Sequence, residues 1–249
     1  MTLAATGEIS MSQIQLEHGG NGEISLGEYY RGGGVGDDPW NATVPTSAAI
    51  SMGSLRGTTA TRVLIVTVQG GGGAGGQGEA DNWVSDGHGG PGGATTVSCA
   101  NGTWADTSVS AAGGAGGAGV VISYSTTAGR AGEASFYGAG GAGGGNNAHG
   151  SSAPATSYGA GGGGGGGDSP STYDNSGYGG HGGYVGGRIL QAPLRAMRGS
   201  VVTVTIGAGG PYNNNIATYG NNYYGGAGAA GVAWVGAQVY LANSTFTVT

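Results

Sequence analysis

The amino-acid sequence predicts a mainly β and irregular fold. A small N-terminal module of short helical turns spans 1–60, and β-strands then frame a glycine-rich, polyglycine-II-like body over 61–249. Three observations predict it. Glycine supplies 63 of the 249 residues, and much of it falls in X-Gly-Gly triplets. An Ile-Ser-apolar element occurs three times near the N-terminus. Segments rich in β-branched residues run directly into the glycine triplets.

The N-terminal element reads Ile9-Ser10-Met11, Ile24-Ser25-Leu26 and Ile50-Ser51-Met52. In the first two copies Gln13 or Glu28 follows the Ser by three residues, which is a capping box. Each copy predicts a short helical turn entered from its Ser. Ile9, Ile24 and Ile50 before the caps can staple to Ile14, Tyr29 and Leu55 at the ends of the copies. Gly19-Gly20 and Gly32-Gly33-Gly34 stop the first two turns. None is long enough to stand alone, so the module must pack on its own copies or on a partner. These nine residues are the candidate assembly residues.

Strands are predicted over Arg62–Val68, Val201–Ile206, Gly231–Leu241 and Thr245–Thr249. They bracket the body from both ends. Within it lie Ala112-Gly-Gly-Ala115-Gly-Gly, Ala139-Gly-Gly-Ala142-Gly-Gly and related series. A period of three matches the polyproline-II helix, which has no internal hydrogen bonds and turns its N–H and C=O groups sideways. Neighbouring helices stripped of side chains can then pair laterally. Ordering glycine costs more entropy than ordering any other residue, so lateral bonds and close packing must offset it. The alternative is a flexible linker.

The segments between runs, 79–87, 95–111, 146–158, 168–178 and 211–224, are rich in Asn, Ser, Thr, Tyr and Trp. They are expected to form loops at the ends of the body. Aromatic residues among small polar ones suit recognition. Trp83, Trp104, Tyr158, Tyr173, Tyr178, Tyr212, Tyr219, Tyr223 and Tyr224 are the candidate receptor-binding residues, each of which could instead cap the lattice.

Composition narrows the function. There is no Lys, and the net charge is −6 with no basic cluster, so nucleic-acid binding has no electrostatic footprint. No apolar run is long enough for a membrane span. The N-terminus lacks the features of a signal peptide, and assembly in a cytoplasm is expected. G-x-G-x-x-G matches mean nothing at this glycine content, and a P-loop would need a Lys. His18, His88, His149 and His181 lack zinc-like spacing. Cys99 stands alone. No catalytic residues, metal or cofactor are expected.

The N-terminal copies, from Thr6-Gly-Glu-Ile-Ser-Met-Ser to Ile50-Ser-Met-Gly-Ser-Leu-Arg-Gly, resemble the N-terminal segment of tail-fibre and minor tail proteins of tailed phages. The match covers residues 5–57 and departs in the last copy, where Gly53-Ser54-Leu55 replaces Ser-Asp-aromatic. Gly199–Gly210 and Gly228–Leu241 are similar to the closing segments of glycine-rich phage tail domains. The architecture resembles the polyglycine-II sandwiches of distal adhesins in T-even-like phages. This resemblance implies a virion protein with an N-terminal attachment module and host-contacting loops. Its partners would be other virion tail proteins and a host cell-surface glycan or outer-membrane protein, and its state a homotrimer. The alternatives are a head-fibre, decoration or tail-scaffold protein, an ice-binding protein with regular small residues on one face, and a hydrolytic tail enzyme.

Overall fold

The computed structural model describes residues 3–19, 25–31, 34–35, 41–47, 49–76, 88–100, 108–118, 129–145, 148–165, 183–212 and 225–248. The Ser caps act locally, as the sequence requires. The Ser10 side chain accepts from the Gln13 N–H and the Gln13 side chain accepts from the Ser10 N–H, opening α1 (Met11–His18). The Glu28 carboxylate accepts from the Ser25 N–H at the start of a 3-10 turn, Leu26–Glu28. Ser51 caps a second 3-10 turn, Met52–Leu55. The first copy thus extends to two turns of helix, and Gly19 at φ +87° ends it.

Ile14, Tyr29 and Leu55 are buried together with Leu3, Val35 and Val44, and Ile9 and Ile50 pack against them. The three copies therefore bury their apolar residues on one another. Ile24 lies outside the described residues.

One buried carboxylate ties this cluster to the β-sandwich. Glu17 accepts from the Ala60 N–H at 2.8 Å and the Thr59 hydroxyl at 2.9 Å. It also faces the Arg198 guanidinium at 3.5 Å, while Arg198 donates to the Leu16 carbonyl. Burial acts to raise the Glu17 pKa, but the hydrogen bonds from Ala60 and Thr59 act against it, and the net shift is downward. His18, bonded to the Thr58 hydroxyl, is pushed down by burial.

Among the described residues the sandwich has eight strands: β1 (Thr61–Gln69), β2 (Thr95–Cys99), β3 (Ser108–Ala111), β4 (Arg188–Met197), β5 (Val201–Thr205), β6 (Val232–Val235), β7 (Gln238–Tyr240) and β8 (Ser244–Thr247). They form two antiparallel sheets, ordered β4-β1-β6-β7 and β3-β2-β5-β8. Val66, Val68, Leu194, Ala233 and Val235 of the first sheet pack on Val97, Val109, Val202 and Val204 of the second. Cys99 is buried in the same core.

Three expectations are corrected. The predicted strand Gly231–Leu241 is a hairpin, because Gly236 takes φ +59° and turns β6 into β7. The stretch 95–111 carries β2 and β3, where loop was expected. β4, which no run of β-branched residues announces, is the longest strand described.

Glycine segments, six of them continuous with these strands, form extended rods among the described residues. Ten of them, 70–76, 88–94, 112–118, 129–133, 139–145, 148–153, 159–165, 183–187, 207–212 and 225–231, are joined side by side through backbone N–H···O=C bonds. The sixth rod corrects the reading of 146–158 as loop.

The first rod shows the rule. Gly70 and Gly73 donate to the eighth rod, Gly71 and Ala74 to the second, and Gly72 and Gly75 to the tenth, all at 2.9 Å. Its carbonyls accept from the third, seventh and ninth rods. Three residues separate successive bonds to one neighbour, which is the period of a polyproline-II helix. Six neighbours surround this rod, and the seventh rod is surrounded in the same way. Every residue of both central rods is buried. In outer rods burial repeats by threes: Ala112, Ala115, Ala139 and Ala142 are exposed, while Gly114, Gly117, Gly141 and Gly144 are buried. The X of X-Gly-Gly faces outward there.

The close approach explains the glycine. A Cβ on Gly72 would lie 2.0 Å from the Ala160 carbonyl oxygen. Gln69 and Thr95 secure the junctions between strands and rods. Gln69 donates to the carbonyls of Gly186 and Gly187, and the Thr95 hydroxyl accepts from Gly207.

Gly72→Ala is expected to destabilise the protein by more than about 3 kcal/mol, the upper end of overpacking costs. Gly145→Ala, with nothing within 4 Å of the new Cβ, should stay within about 0.5 kcal/mol of the parent. Chemical denaturation of both variants checks this. Lowering pH should weaken the Glu17 tie. A depressed folded pKa contributes stability that is present above the unfolded value, about 4.3, and is lost as pH falls through the folded one. Amide exchange at Ala60 between pH 6 and 3 should report loosening in the parent and a flat profile in Glu17→Gln.

Candidate functional site

Successive rods alternate in direction. The pairs Gly71 with Gly93 and Ala74 with Gly90 run antiparallel, and Gly114 with Gly71 and Gly117 with Ala74 run parallel. Odd-numbered rods therefore leave the sandwich and even-numbered rods return. The chain departs from the far end of the bundle at residues 76, 118, 145, 165 and 212, and re-enters at 88, 129, 148, 183 and 225. Trp83, Tyr173, Tyr178, Tyr219, Tyr223 and Tyr224 fall in the intervening segments, outside the described residues, as does Trp104 between β2 and β3.

The two described candidates separate. Tyr212 sits at the far end, half exposed. With His149 and Ser152 it lines a shallow depression of about 220 Å³. Tyr158 lies at the opposite end, in the turn entering the seventh rod, against Tyr137 at 5.8 Å.

Around Tyr158 the structure assembles a second site that the sequence pattern does not reveal. Among the described residues the fourth to seventh rods carry no strands, and their turns at the sandwich end fold toward the outer face of the first sheet. The turn closed by the Ser135–Gly138 bridge brings Phe136 and Tyr137 there. Tyr137 stacks on Trp234 of β6 at 4.9 Å between ring centroids. The Arg188 guanidinium, at the start of β4, lies 3.9 Å from the centre of the Phe136 ring and 5.1 Å from that of Tyr137. Burial raises the Tyr137 pKa, with Arg188 acting in the opposite direction.

The rings of Tyr137 and Trp234 and the Arg188 guanidinium border a cleft of about 670 Å³ whose remaining lining includes Ile65, Leu190, Thr67 and Gln191. Among the described residues no carboxylate lines it. Arg188 Nε is buried without a hydrogen-bond partner among the described residues. Gln191 is the one described non-glycine residue at positive φ, +49°. The β1–β4 register shifts between Val66 and Val68, so Leu190 and Gln191 bulge out opposite Thr67, and the Gln191 N–H donates to the Thr67 hydroxyl. Bulges and left-handed non-glycine residues cluster at functional sites. The adjacent aromatics Phe136-Tyr137 inside a glycine-rich stretch were the one local signal.

Among the described residues no three His, Cys, Asp or Glu side chains gather as a metal site, and no helix is long and apolar enough to cross a membrane. No protein-family model, curated protein or solved structure matches the chain.

Tyr212→Ala should change stability by less than about 0.5 kcal/mol, as for an exposed residue away from special features. Tyr137→Ala should cost more than about 1 kcal/mol, because it removes ring contacts on several sides. Urea titration of the two variants separates a displayed ring from a packed one.

Proposed function

We propose that the protein is a host-binding tip component of a tailed-phage tail, with the N-terminal module joining it to the particle. The observation that carries this reading is the alternation of the rods. It sends the Trp-, Tyr- and Asn-rich connections from one end of a rigid, side-chain-poor bundle. Loops on such a scaffold can vary without disturbing what holds it. Recognition would rest on stacking and on hydrogen bonds from Tyr, Asn and Ser, with little electrostatic steering at this low charge density. The partner is a host glycan or outer-membrane protein. The resemblance of residues 5–57 to phage tail proteins supports the particle assignment, and a homotrimer follows from that resemblance alone.

A second reading is favoured by one observation. The outer face of the second sheet carries hydroxyl rows: Ser110, Thr96 and Thr205 lie side by side, as do Ser108, Ser98, Thr203 and Thr245. A regular Thr/Ser face is what an ice-binding protein needs. Thermal hysteresis in a solution of the pure protein would favour it.

The full-length protein should bind cells of the host and reduce adsorption of the virion. Tyr212→Ala should weaken that competition several-fold. If antibodies label the virion while the folded protein neither binds cells nor competes, the protein is a structural component of tail or head and the adhesin reading fails.

A further inference from the structure

The cleft on the outer face of the first sheet has features that the packing of the sandwich does not require. Among the described residues Arg188 is the only cation lining it, in a chain with net charge −6. Its positive charge faces aromatic rings, and its buried Nε has no hydrogen-bond partner among the described residues. A guanidinium so placed suits an anionic group, which it can hold through paired N–H donors. Tyr137 and Trp234 add ring surface, and Ile65 and Leu190 add apolar surface. Gln191 and Thr67 add amide and hydroxyl groups beside them.

We propose that this cleft binds an acidic saccharide. The anionic group pairs with Arg188, the sugar's C–H face lies against Tyr137 and Trp234, and its hydroxyls meet Gln191 and Thr67. The volume, about 670 Å³, lies in the range of small-molecule sites. A saccharide fits better than an acidic peptide. A peptide would most simply add as a strand to an edge of the sheet, β4 or β7, and β4 is the edge whose residues line the cleft. There the bulge at Leu190–Gln191 and Pro193 interrupt the donor row that strand addition uses. The proposal does not rest on the host-binding reading, because this cleft lies at the sandwich end and Tyr212 at the far end.

The strained backbone supplies a discriminating variant. Gly at position 191 would accept the left-handed φ without strain, so Gln191→Gly should leave the melting temperature unchanged or higher. It should also lower sugar affinity by removing the amide.

The test is calorimetric titration of the full-length protein with glucuronate, glucose 6-phosphate, glucose, inorganic phosphate and a short Asp/Glu peptide. At least one charged sugar should bind at least ten times more tightly than glucose, inorganic phosphate or the peptide. The two charged sugars distinguish carboxylate from phosphate as the anionic group. Arg188→Gln should cost that sugar at least tenfold in affinity, Arg188→Lys less, and Gln191→Gly several-fold with the fold intact. The proposal is overturned if neither charged sugar binds the folded protein, or if glucose or the peptide binds as tightly as the better of them. It is overturned equally if both Gln191→Gly and the folded Arg188 variants bind as the parent does.

Discussion

The lateral hydrogen bond between backbone segments is the interaction on which the structure depends. A polyproline-II rod satisfies none of its own polar groups, and a buried unpaired N–H or C=O costs roughly 1–3 kcal/mol. The two central rods can be buried only if each is ringed by partners. Hexagonal surroundings provide this: the first rod donates to three neighbours and accepts from three others. That packing brings backbones close enough that a methyl group at Gly70, Gly71, Gly72 or Gly73 would overlap a neighbour's carbonyl. The glycine content is therefore a steric requirement of the hydrogen bonding.

The sandwich and the N-terminal module can be understood as supports for that arrangement. Rods alone have no means of setting their register, since a slide by three residues recreates the same bonds. The strands fix it. β1, β3 and β5 lead into rods, and rods lead into β2, β4 and β6. Ladder pairing and the alternation of core valines specify the strand register, and Gln69 and Thr95 carry it across the junctions. The Glu17–Arg198 contact then anchors the N-terminal cluster to the hairpin joining β4 and β5.

What could be read from the sequence was what is local or periodic. The Ser caps act over three residues, so Ser10, Ser25 and Ser51 announce their turns directly. The triplet period announces the rods. β1, β5 and β8 carry dense β-branched runs. β4 escaped notice because Pro193 and the Leu190–Gln191 bulge break its alternation, and β2 and β3 because short Thr/Ser-rich strands read like the polar loops around them. The aromatic cleft was invisible for a different reason. Phe136, Tyr137, Arg188 and Trp234 come from three distant parts of the chain, brought together by the order in which rods return to the sandwich. Tyr158 was singled out for its neighbours in sequence, but its position is decided by Tyr137.

A core made of peptide groups also changes how stability depends on temperature. Exposing apolar surface on unfolding raises the heat capacity, whereas exposing polar surface lowers it. Opening the central rods releases mostly amide surface, with Ala74 and Ala160 among the few methyl groups buried there. The heat-capacity increment per residue is thus smaller than in a domain built around valine and leucine, and the stability curve is flatter. The rod lattice gives up some of the hydrophobic driving force, and its hold on the backbone varies less between cold and warm conditions.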